Sequence, residues 1–372
     1  MNNKKKLDVY MDGVQVGTLA EVNRYFTAFE YTEEWIKTGY SISPLSLPLK
    51  KEVFVSKKYD PFEGLFGVFA DSLPDGWGRL LVDRMLLQRH INPNEIGPIT
   101  RLSIVGNSGM GALEYFPSSD METDFKTMAL DELATECSRM FDTAHSEHLD
   151  ELFRMGGSSG GARPKVNYEI DKEEWIVKFP SSIDRENIGR EEYDYSLCAG
   201  KCGIQMSKTL LLPSKHCEGY FAVKRFDRKH GKKIHMVSVS GLLETSHRIP
   251  NLDYNILMKL TLMITKNYDE LEKLFRLMCF NVFAHNRDDH SKNFSYLYEN
   301  GIWKLSPAYD LTYSNSIGGE HATTVNGNGK TPGMDDILEV ARNAKLDLTK
   351  ARQIAKEIRE IVSTDLKKYL GT

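Results

Sequence analysis

Three oxygen-bearing side chains near the end of the chain have the types and spacing that phosphoryl transfer requires. Asp288 is followed by Asn293 in an Asp-x-x-x-x-Asn pattern, and Asp310 comes after a short intervening segment. A carboxylate at an acceptor hydroxyl can take up its proton, while amide and carboxylate oxygens suit Mg²⁺. The pattern therefore predicts Asp288 as a catalytic base and Asn293 and Asp310 as metal ligands, with Lys292 able to neutralise phosphate charge.

The same stretch contains two histidines that offer zinc as an alternative. His285 and His290 lie close in sequence to Asp288 and Asp289. In the metalloprotease motif H-E-x-x-H the histidines are four positions apart, whereas these two are five apart, and no third ligand is apparent. Magnesium is therefore favoured over zinc. From the residues alone, His290 is as readily a polar loop histidine as a functional one.

A glycine-rich segment and a lysine upstream supply the remaining parts that phosphates need. Main-chain N–H groups approach phosphate oxygens most easily at glycine, although a flexible surface loop has the same composition. The segment contains Gly156, Gly157, Gly160 and Gly161. Lys178 follows in an apolar strand, where lysine is rare unless its ammonium group reaches a ligand or a carboxylate such as Glu191 or Glu192. A lysine on the solvated face of the strand is the alternative.

A second glycine-rich segment, Gly106-x-x-Gly109-x-Gly111, has the spacing of a phosphate loop. Nothing downstream of it supplies a lysine and an acidic pair in the required order. We therefore predict that this segment is a tight turn in the first domain.

Composition and charge restrict the class of protein. The chain has 372 residues, 41% hydrophobic content and a net charge of −4, which favours a globular protein that does not itself grip nucleic acid strongly. Its five cysteines are an odd number without C-x-x-C spacing, which favours buried thiols in a reducing compartment. No targeting signal is convincing, and no apolar stretch approaches the roughly 20 residues of a membrane span. The sequence therefore predicts a cytoplasmic protein.

Hydrophobic periodicity predicts the elements that position these residues. Alternating residues from Leu7 to Leu19 predict a hairpin, and residues 26–31 a third strand. Later strands are predicted at 165–170, 175–179, 210–212 and 220–226, with a hairpin formed by 294–298 and 303–305. Helices are predicted at 79–89, 130–141, 191–202, 271–282, 334–344 and 348–370.

Together these motifs resemble the HipA family over nearly the whole chain. The matching segments are Leu45-Ser-Leu-Pro-Leu49, Leu73-Pro-Asp-Gly76, Gly111-Ala-Leu-Glu-Tyr115, Ser158-Ser-Gly-Gly-Ala-Arg-Pro-Lys165, Trp175-Ile-Val-Lys178-Phe-Pro180, Val223-Lys-Arg-Phe-Asp-Arg228, Asp288-Asp-His-Ser-Lys-Asn293-Phe-Ser295 and Leu305-Ser-Pro-Ala-Tyr-Asp310-Leu. The resemblance implies an α+β, two-lobed protein-kinase-like fold with a sheet-rich N-lobe and an all-helical C-lobe. We expect an N-terminal α+β accessory domain at 1–125, the N-lobe with the phosphate loop at 126–226, and the C-lobe with the catalytic loop and metal site at 227–372.

The resemblance also implies roles for particular residues. Asp288, Lys178 and Lys292 would be catalytic, and Asn293 and Asp310 would hold Mg²⁺. The residues expected to bind ATP are Ser159, Gly160, Gly161, Ala162, Lys178, Lys224, Phe226, Asp227, His290, Asn293 and Asp310. Among them, the main chain around Lys224 and Phe226 would line the adenine pocket, Asp227 would meet the ribose, and His290 would lie near the nucleotide.

Ser158 matches the family's autophosphorylated serine. A phosphate there would add about two negative charges to the loop and expel it from the ATP site. Ser159 is adjacent, so the choice between the two serines stays open. Arg163 and Pro164 differ from the acidic-lysine ending that is commoner in this loop motif, which bears on loop conformation.

The family implies a function and partners as well. The expected activity is that of a serine/threonine-protein kinase, the toxin of a toxin–antitoxin module, with ATP and Mg²⁺ as cofactors. A HipB-like helix-turn-helix antitoxin would restrain it and make the DNA contacts, and its protein substrates would belong to translation, aminoacyl-tRNA synthetases among them. No membrane association is expected. The alternatives are a small-molecule phosphotransferase of similar fold and a non-catalytic scaffold that binds the antitoxin.

Overall fold

The computed structural model describes residues 3–23, 25–119, 128–142, 148–157, 160–181, 184, 187–316 and 318–371. The strands are β1 Lys6–Met11, β2 Val14–Val22, β3 Phe26–Tyr31, β4 Phe54–Val55, β5 Glu114–Phe116, β6 Lys165–Ile170, β7 Glu173–Lys178, β8 Thr209–Leu212, β9 Tyr220–Lys224, β10 Arg228–Lys229, β11 Lys232–Lys233, β12 His235–Ser238, β13 Leu252–Asp253, β14 Ser295–Glu299, β15 Ile302–Leu305 and β16 Thr323–Thr324. The α-helices are α1 Glu33–Thr38, α2 Gly67–Ala70, α3 Gly76–Gln88, α4 Pro98–Val105, α5 Leu130–Asp142, α6 Leu149–Gly156, α7 Ile188–Lys201, α8 Val239–Leu243, α9 Tyr254–Thr265, α10 Tyr268–Phe283, α11 Met334–Asn343, α12 Leu348–Asp365 and α13 Lys367–Leu370.

The chain forms two compact units. The first unit contains residues 1–187, 212–237 and 241–245, and the second contains residues 188–211, 238–240 and 246–372. The predicted domain boundaries after residues 125 and 226 stay predictions.

The first unit begins with an antiparallel sheet of strand order β4-β3-β2-β1-β5. In β1, Leu7, Val9 and Met11 are buried and alternate with more exposed residues, because one face of the strand covers a core. Asp12 and Gly13 both have positive φ, as a two-residue hairpin turn requires. The predicted hairpin and third strand are confirmed.

A second antiparallel sheet in the first unit joins β6 to β7 and β7 to β9. A turn at Asp171-Lys172 connects β6 and β7, and both residues have positive φ, of 54° and 61°. This turn fixes the register of β6 against β7, so that Lys165 lies opposite Lys178. In the neighbouring pair of strands, Lys178 lies opposite Phe221. Residues directly opposite each other share one face of a sheet.

The second unit is built around α10, which packs against α9 and α12. Leu274, Phe275 and Met278 of α10 are buried, which confirms the predicted amphipathic helix. The predicted hairpin is formed by β14 and β15. Because the unit also contains the parallel pair of β13 with β16, this region is mainly helical and not all-helical as expected.

Two further observations concern the cysteines and the apolar character of the helices. All five cysteines are free thiols, and four of them are buried: Cys137, Cys198, Cys202 and Cys279. Among the described residues, no helix has both the length and the apolar character that crossing a bilayer demands.

His235 is enclosed in the first unit. The imidazole is 2% exposed, and its Nε2 lies 2.8 Å from the main-chain oxygen of Ile42. Burial lowers the pKa of His235 from 6.5 to about 4, because desolvation disfavours the charged imidazolium. The folded protein therefore keeps this side chain neutral at neutral pH.

This pKa predicts that stability declines on acidification. The unfolded chain takes up a proton at His235 near pH 6.5, whereas the folded chain does so only near pH 4. The contribution of His235 to the free energy of unfolding is therefore fully present above pH 6.5, and it falls by about 2 kcal/mol between about pH 7 and pH 5. Urea unfolding at both pH values should show a smaller decline for His235→Gln than for wild type, whereas His230→Gln, at an exposed position, should behave like wild type. Equal declines in all three proteins would contradict the prediction.

Candidate functional site

The turn between α10 and β14 carries the Asp-x-x-x-x-Asn residues. The Asp288 side chain is 61% exposed, and Asn293 Nδ2 donates a hydrogen bond of 2.7 Å to the main-chain oxygen of Asp288. A single 3-10 turn, Ser291–Asn293, closes the segment. Because the amide nitrogen of Asn293 is bonded to the turn, its Oδ1 is the atom that remains to bind a cation. The structure therefore brings Asp288 and Asn293 together.

Asp289, the neighbour of Asp288, is fully buried and anchors the turn. Its Oδ2 accepts from the Tyr254 hydroxyl at 3.0 Å and lies 3.0 Å from His321 Nδ1, and its Oδ1 accepts from the Thr323 N–H at 3.1 Å. Burial and the adjacent Asp289 raise the pKa of Tyr254 well above its ordinary value, so that its hydroxyl remains a donor. The main chain beside Asp288 is thereby fixed to two distant segments.

This anchor continues into α10. Asn281 Nδ2 donates to the Tyr254 hydroxyl at 2.9 Å, and Asn286 Nδ2 donates to Asn281 Oδ1 at 2.9 Å. The sequence placed Asp289 only among candidate zinc ligands and missed this role. The available signal was the pair of consecutive acidic residues in one turn. Two neighbouring carboxylates rarely face the same ligand, so the pair indicates that one of them has another role.

Asp310 is held near the turn through its neighbour. The Tyr309 hydroxyl donates to the Lys292 main-chain oxygen at 2.6 Å and lies 2.7 Å from Ser295 Oγ. Asp310 itself has a φ of 53°, an uncommon conformation for a residue with a side chain. Thr312 Oγ1 further donates to Glu191 Oε1 at 3.1 Å. The segment after β15 is thus tied to the Asp288 turn and to α7.

His290 lies beside the Asp288 carboxylate. Its Nε2 is 4.0 Å from Asp288 Oδ1, and its ring centroid is 5.4 Å from that of His247. The Nδ1 atom of His290 is buried and has no hydrogen-bond partner among the described residues. The ring therefore has one nitrogen facing the carboxylate and one that a ligand could satisfy.

The donor set fits magnesium better than zinc. Within the described part of the chain, no three His, Cys, Asp or Glu side chains are grouped as metal ligands. Magnesium commonly takes only one or two protein carboxylates and completes its shell with water and substrate phosphates. Asn293 and Asp310 carry oxygen atoms of the type that suits Mg²⁺, and their roles as its ligands stay predictions.

The glycine loop and the predicted lysine lie in the first unit. Ser158 and Ser159 fall outside the described residues, whereas Gly160, Gly161 and Ala162 lie between α6 and β6, the last two exposed. Gly161 has a φ of 83°, which favours glycine. Lys178 ends β7, with its Nζ 5.6 Å from the centre of the Phe221 ring.

Lys165, at the start of β6, was missed as a site residue. It is only 7% exposed, and a Cβ built on Gly161 would lie 2.6 Å from its Nζ. It also lies directly opposite Lys178 on the same sheet face. Two lysine side chains on one face place positive charge beside the glycine loop, which suits an anion. The Asp171-Lys172 turn defines the register of β6 and β7, and that register could have revealed Lys165 as a site residue.

Lys224 is the last residue of β9, and Phe226 lies two residues after it. The Lys224 ammonium group is bonded to Glu173 Oε1, and Phe226 is half-buried. Their predicted roles in an adenine pocket stay predictions.

Asp227 is buried inside the first unit. Its carboxylate accepts bonds of 2.8 Å from Arg225, from Arg228 and from the Gly111 N–H. Burial alone would raise the pKa of Asp227, but the two guanidinium groups outweigh it and hold the pKa below its usual range. Arg228 also donates to the Gly109 oxygen at 3.0 Å. Asp227 therefore secures the 106–111 turn, and its predicted ribose contact stays a prediction.

Two family models match the chain. The HipA N-terminal domain matches residues 7–116, and the HipA-like C-terminal domain matches residues 157–365, which is more than half of the sequence. The chain belongs to the HipA family. The C-terminal match includes both the glycine loop with its lysines and the Asp288 turn, and the N-terminal match includes the 106–111 turn.

Two named relatives and one solved structure are also similar to this chain. Putative kinase Y4mE of Sinorhizobium fredii is 24% identical over 345 residues, which cover 82% of this chain and 76% of the relative. A putative kinase of Haemophilus influenzae is 29% identical over 182 residues, 42% of this chain and 53% of the relative. HipA of Shewanella oneidensis, solved with HipB and its operator DNA, superposes with a TM-score of 0.74 at 17% identity, covering 98% of this chain and 90% of that chain. The last likeness confirms the predicted HipA-type fold.

The lysine pair predicts that the first unit binds polyphosphate. Replacing Lys165 with Met should weaken binding of inorganic tripolyphosphate about tenfold or more, because a hydrogen bond to a charged group contributes roughly 1.5–3 kcal/mol. Calorimetric titration measures this, and Lys232→Met, at an exposed position, is the matched control. Equal affinity in the Lys165→Met variant and wild type would refute the placement of an anion on this face.

The buried Asp227 predicts a structural effect. Asp227→Asn leaves Arg225 and Arg228 buried beside a neutral amide, so it should lower the free energy of unfolding by about 3–5 kcal/mol. Asp12→Asn, in the exposed turn between β1 and β2, should stay within about 0.5 kcal/mol of wild type. Chemical denaturation compares the three proteins. Wild-type stability combined with weaker nucleotide binding in Asp227→Asn would instead support the predicted ribose contact.

Proposed function

We propose that this HipA-family chain is an ATP-dependent serine/threonine-protein kinase and the toxin of a toxin–antitoxin module. The observation that carries the proposal is the turn in which Asp288 is exposed while its neighbour Asp289 is buried and saturated with hydrogen bonds. A carboxylate held by a rigid main chain but open to solvent is suited to receive the proton of an incoming hydroxyl. The two relatives named as putative kinases support the same assignment.

The proposed step is transfer of the γ-phosphoryl group of ATP to a serine or threonine hydroxyl. As the hydroxyl oxygen bonds to the γ-phosphorus, its proton passes to the Asp288 carboxylate. The bond between the γ-phosphorus and the bridging oxygen breaks, and ADP leaves with that electron pair. Lys292 adjoins Asn293 in the same turn, where its positive charge can offset the charge of the phosphoryl group.

The remaining predicted residues bind the nucleotide in this proposal. Asn293 Oδ1 and the Asp310 carboxylate would hold Mg²⁺, which neutralises charge on the phosphates when it is bound. Lys178 would contact the phosphates from the sheet face that it shares with Lys165. His290, whose buried Nδ1 has no hydrogen-bond partner among the described residues, would meet the nucleotide.

Regulation and partners rest on the family resemblance. Modification of Ser158 or Ser159 would place negative charge beside Gly160 in the phosphate loop. A HipB-like antitoxin would be the restraining partner, since the Shewanella oneidensis HipA was solved with HipB and operator DNA. DNA contact would then be indirect, which agrees with the net charge of −4. We place the protein in the cytoplasm, with a component of translation as its substrate.

The kinase proposal predicts phosphate transfer that requires Asp288. Purified protein incubated with Mg²⁺ and γ-labelled ATP should label itself, and Asp288→Asn should lower the rate by roughly 10²- to 10⁴-fold, the usual contribution of a positioned base. Mass spectrometry should place the label on a serine of residues 158–159.

Asp335→Asn, an exposed carboxamide substitution in α11, is the matched control and should label at the wild-type rate. Phosphorylation of small alcohols without any protein label would indicate a small-molecule phosphotransferase. Nucleotide binding without transfer to either class of acceptor would indicate a non-catalytic binding protein. Unchanged labelling in Asp288→Asn would remove Asp288 as the base.

A further inference from the structure

The turn before α3 is bonded to the glycine loop inside the first unit. Trp77 donates its main-chain N–H to the Gly161 oxygen at 2.9 Å and its indole N–H to the Lys165 oxygen at 3.0 Å. Gly76 has a φ of 44°, and a Cβ built there would lie 2.4 Å from the Gly161 oxygen. The two segments are therefore in direct main-chain contact, and at Gly76 only glycine fits.

Asp75 adds a negative charge to this contact. Its carboxylate accepts the Gly161 N–H, and a Cβ built on Gly160 would lie 3.1 Å from Asp75 Oδ1. Asp75 is also the N-cap residue of α3, a position where aspartate ordinarily accepts an N–H of its own helix. It makes no such bond here. The carboxylate therefore caps the glycine loop instead of the helix that it precedes.

The Asp75 carboxylate occupies the Gly161 N–H, a hydrogen-bond donor that an anionic ligand would otherwise use. Main-chain N–H groups of glycine loops bind phosphate oxygens, and Lys165 Nζ lies against the same glycine. A phosphate approaching Gly161 must either displace the Asp75 carboxylate or remain beside it. In the second case the two negative charges repel each other over a short distance.

We propose that Asp75 competes with nucleotide phosphates for the Gly161 N–H and thereby sets the affinity of the loop for them. The proposal rests on the proposed function, because it requires the loop to bind a nucleotide. The two Trp77 bonds do not involve the Asp75 side chain, so the loop remains fastened when the carboxylate releases it. Asp75 thus affects the affinity for ligands that carry phosphates and does not affect recognition of the base.

The test compares wild type, Asp75→Asn and Asp12→Asn by calorimetric titration with two ligands. Asp75→Asn keeps the shape of the side chain and removes its charge, and Asp12→Asn makes the same change at an exposed turn. Asp75→Asn should bind the magnesium complex of the non-hydrolysable ATP analogue AMP-PNP roughly three- to tenfold more tightly than wild type. Adenosine, which carries no phosphate, should bind all three proteins equally.

Two results would overturn the proposal. One is unchanged or weaker binding of AMP-PNP by Asp75→Asn, and the other is an equal gain for adenosine, which would indicate a general structural effect. If wild type binds AMP-PNP and labels itself with ATP while Asp75→Asn shows no gain, this inference alone fails. If no variant binds AMP-PNP, the proposed function fails together with it.

Discussion

Lys165 and Lys178 lie opposite each other on one face of an antiparallel sheet, which concentrates positive charge next to the glycine loop. Lys165 is nearly buried. The glycine loop lies against its ammonium group, and the Asp75 carboxylate caps the same loop. The positive charge at this end of the sheet is the electrostatic basis for proposing that phosphates bind there.

Burial separates the roles of acidic residues that sequence alone cannot distinguish. Asp227 and Asp289 are buried, and each accepts several hydrogen bonds, at least one of them from a distant segment. Asp227 stabilises the first unit and Asp289 the second. Asp288, adjacent to Asp289, keeps most of its carboxylate exposed. A reactive carboxylate must be accessible to its substrate, so the exposed member of the pair is the one suited to chemistry.

The sequence predicted features whose cause is local. The hairpin of β1 and β2, strand β6 and helix α10 follow from periodicity and turn residues that lie close together in the chain. The roles of Asp227 and Asp289 could not be predicted in this way, because their partners Gly111 and Thr323 are far away in sequence. Lys165 is an intermediate case, since the Asp171-Lys172 turn fixes its register.

Amide hydrogen exchange, with and without the magnesium complex of AMP-PNP, tests most directly whether the glycine loop and the Asp288 turn each respond to nucleotide. We predict slower exchange at residues 160–165 and at residues 288–293 in the same titration, with little change in the exposed turn at Asp12-Gly13. Protection confined to one of the two segments, or found only elsewhere in the chain, would contradict the account.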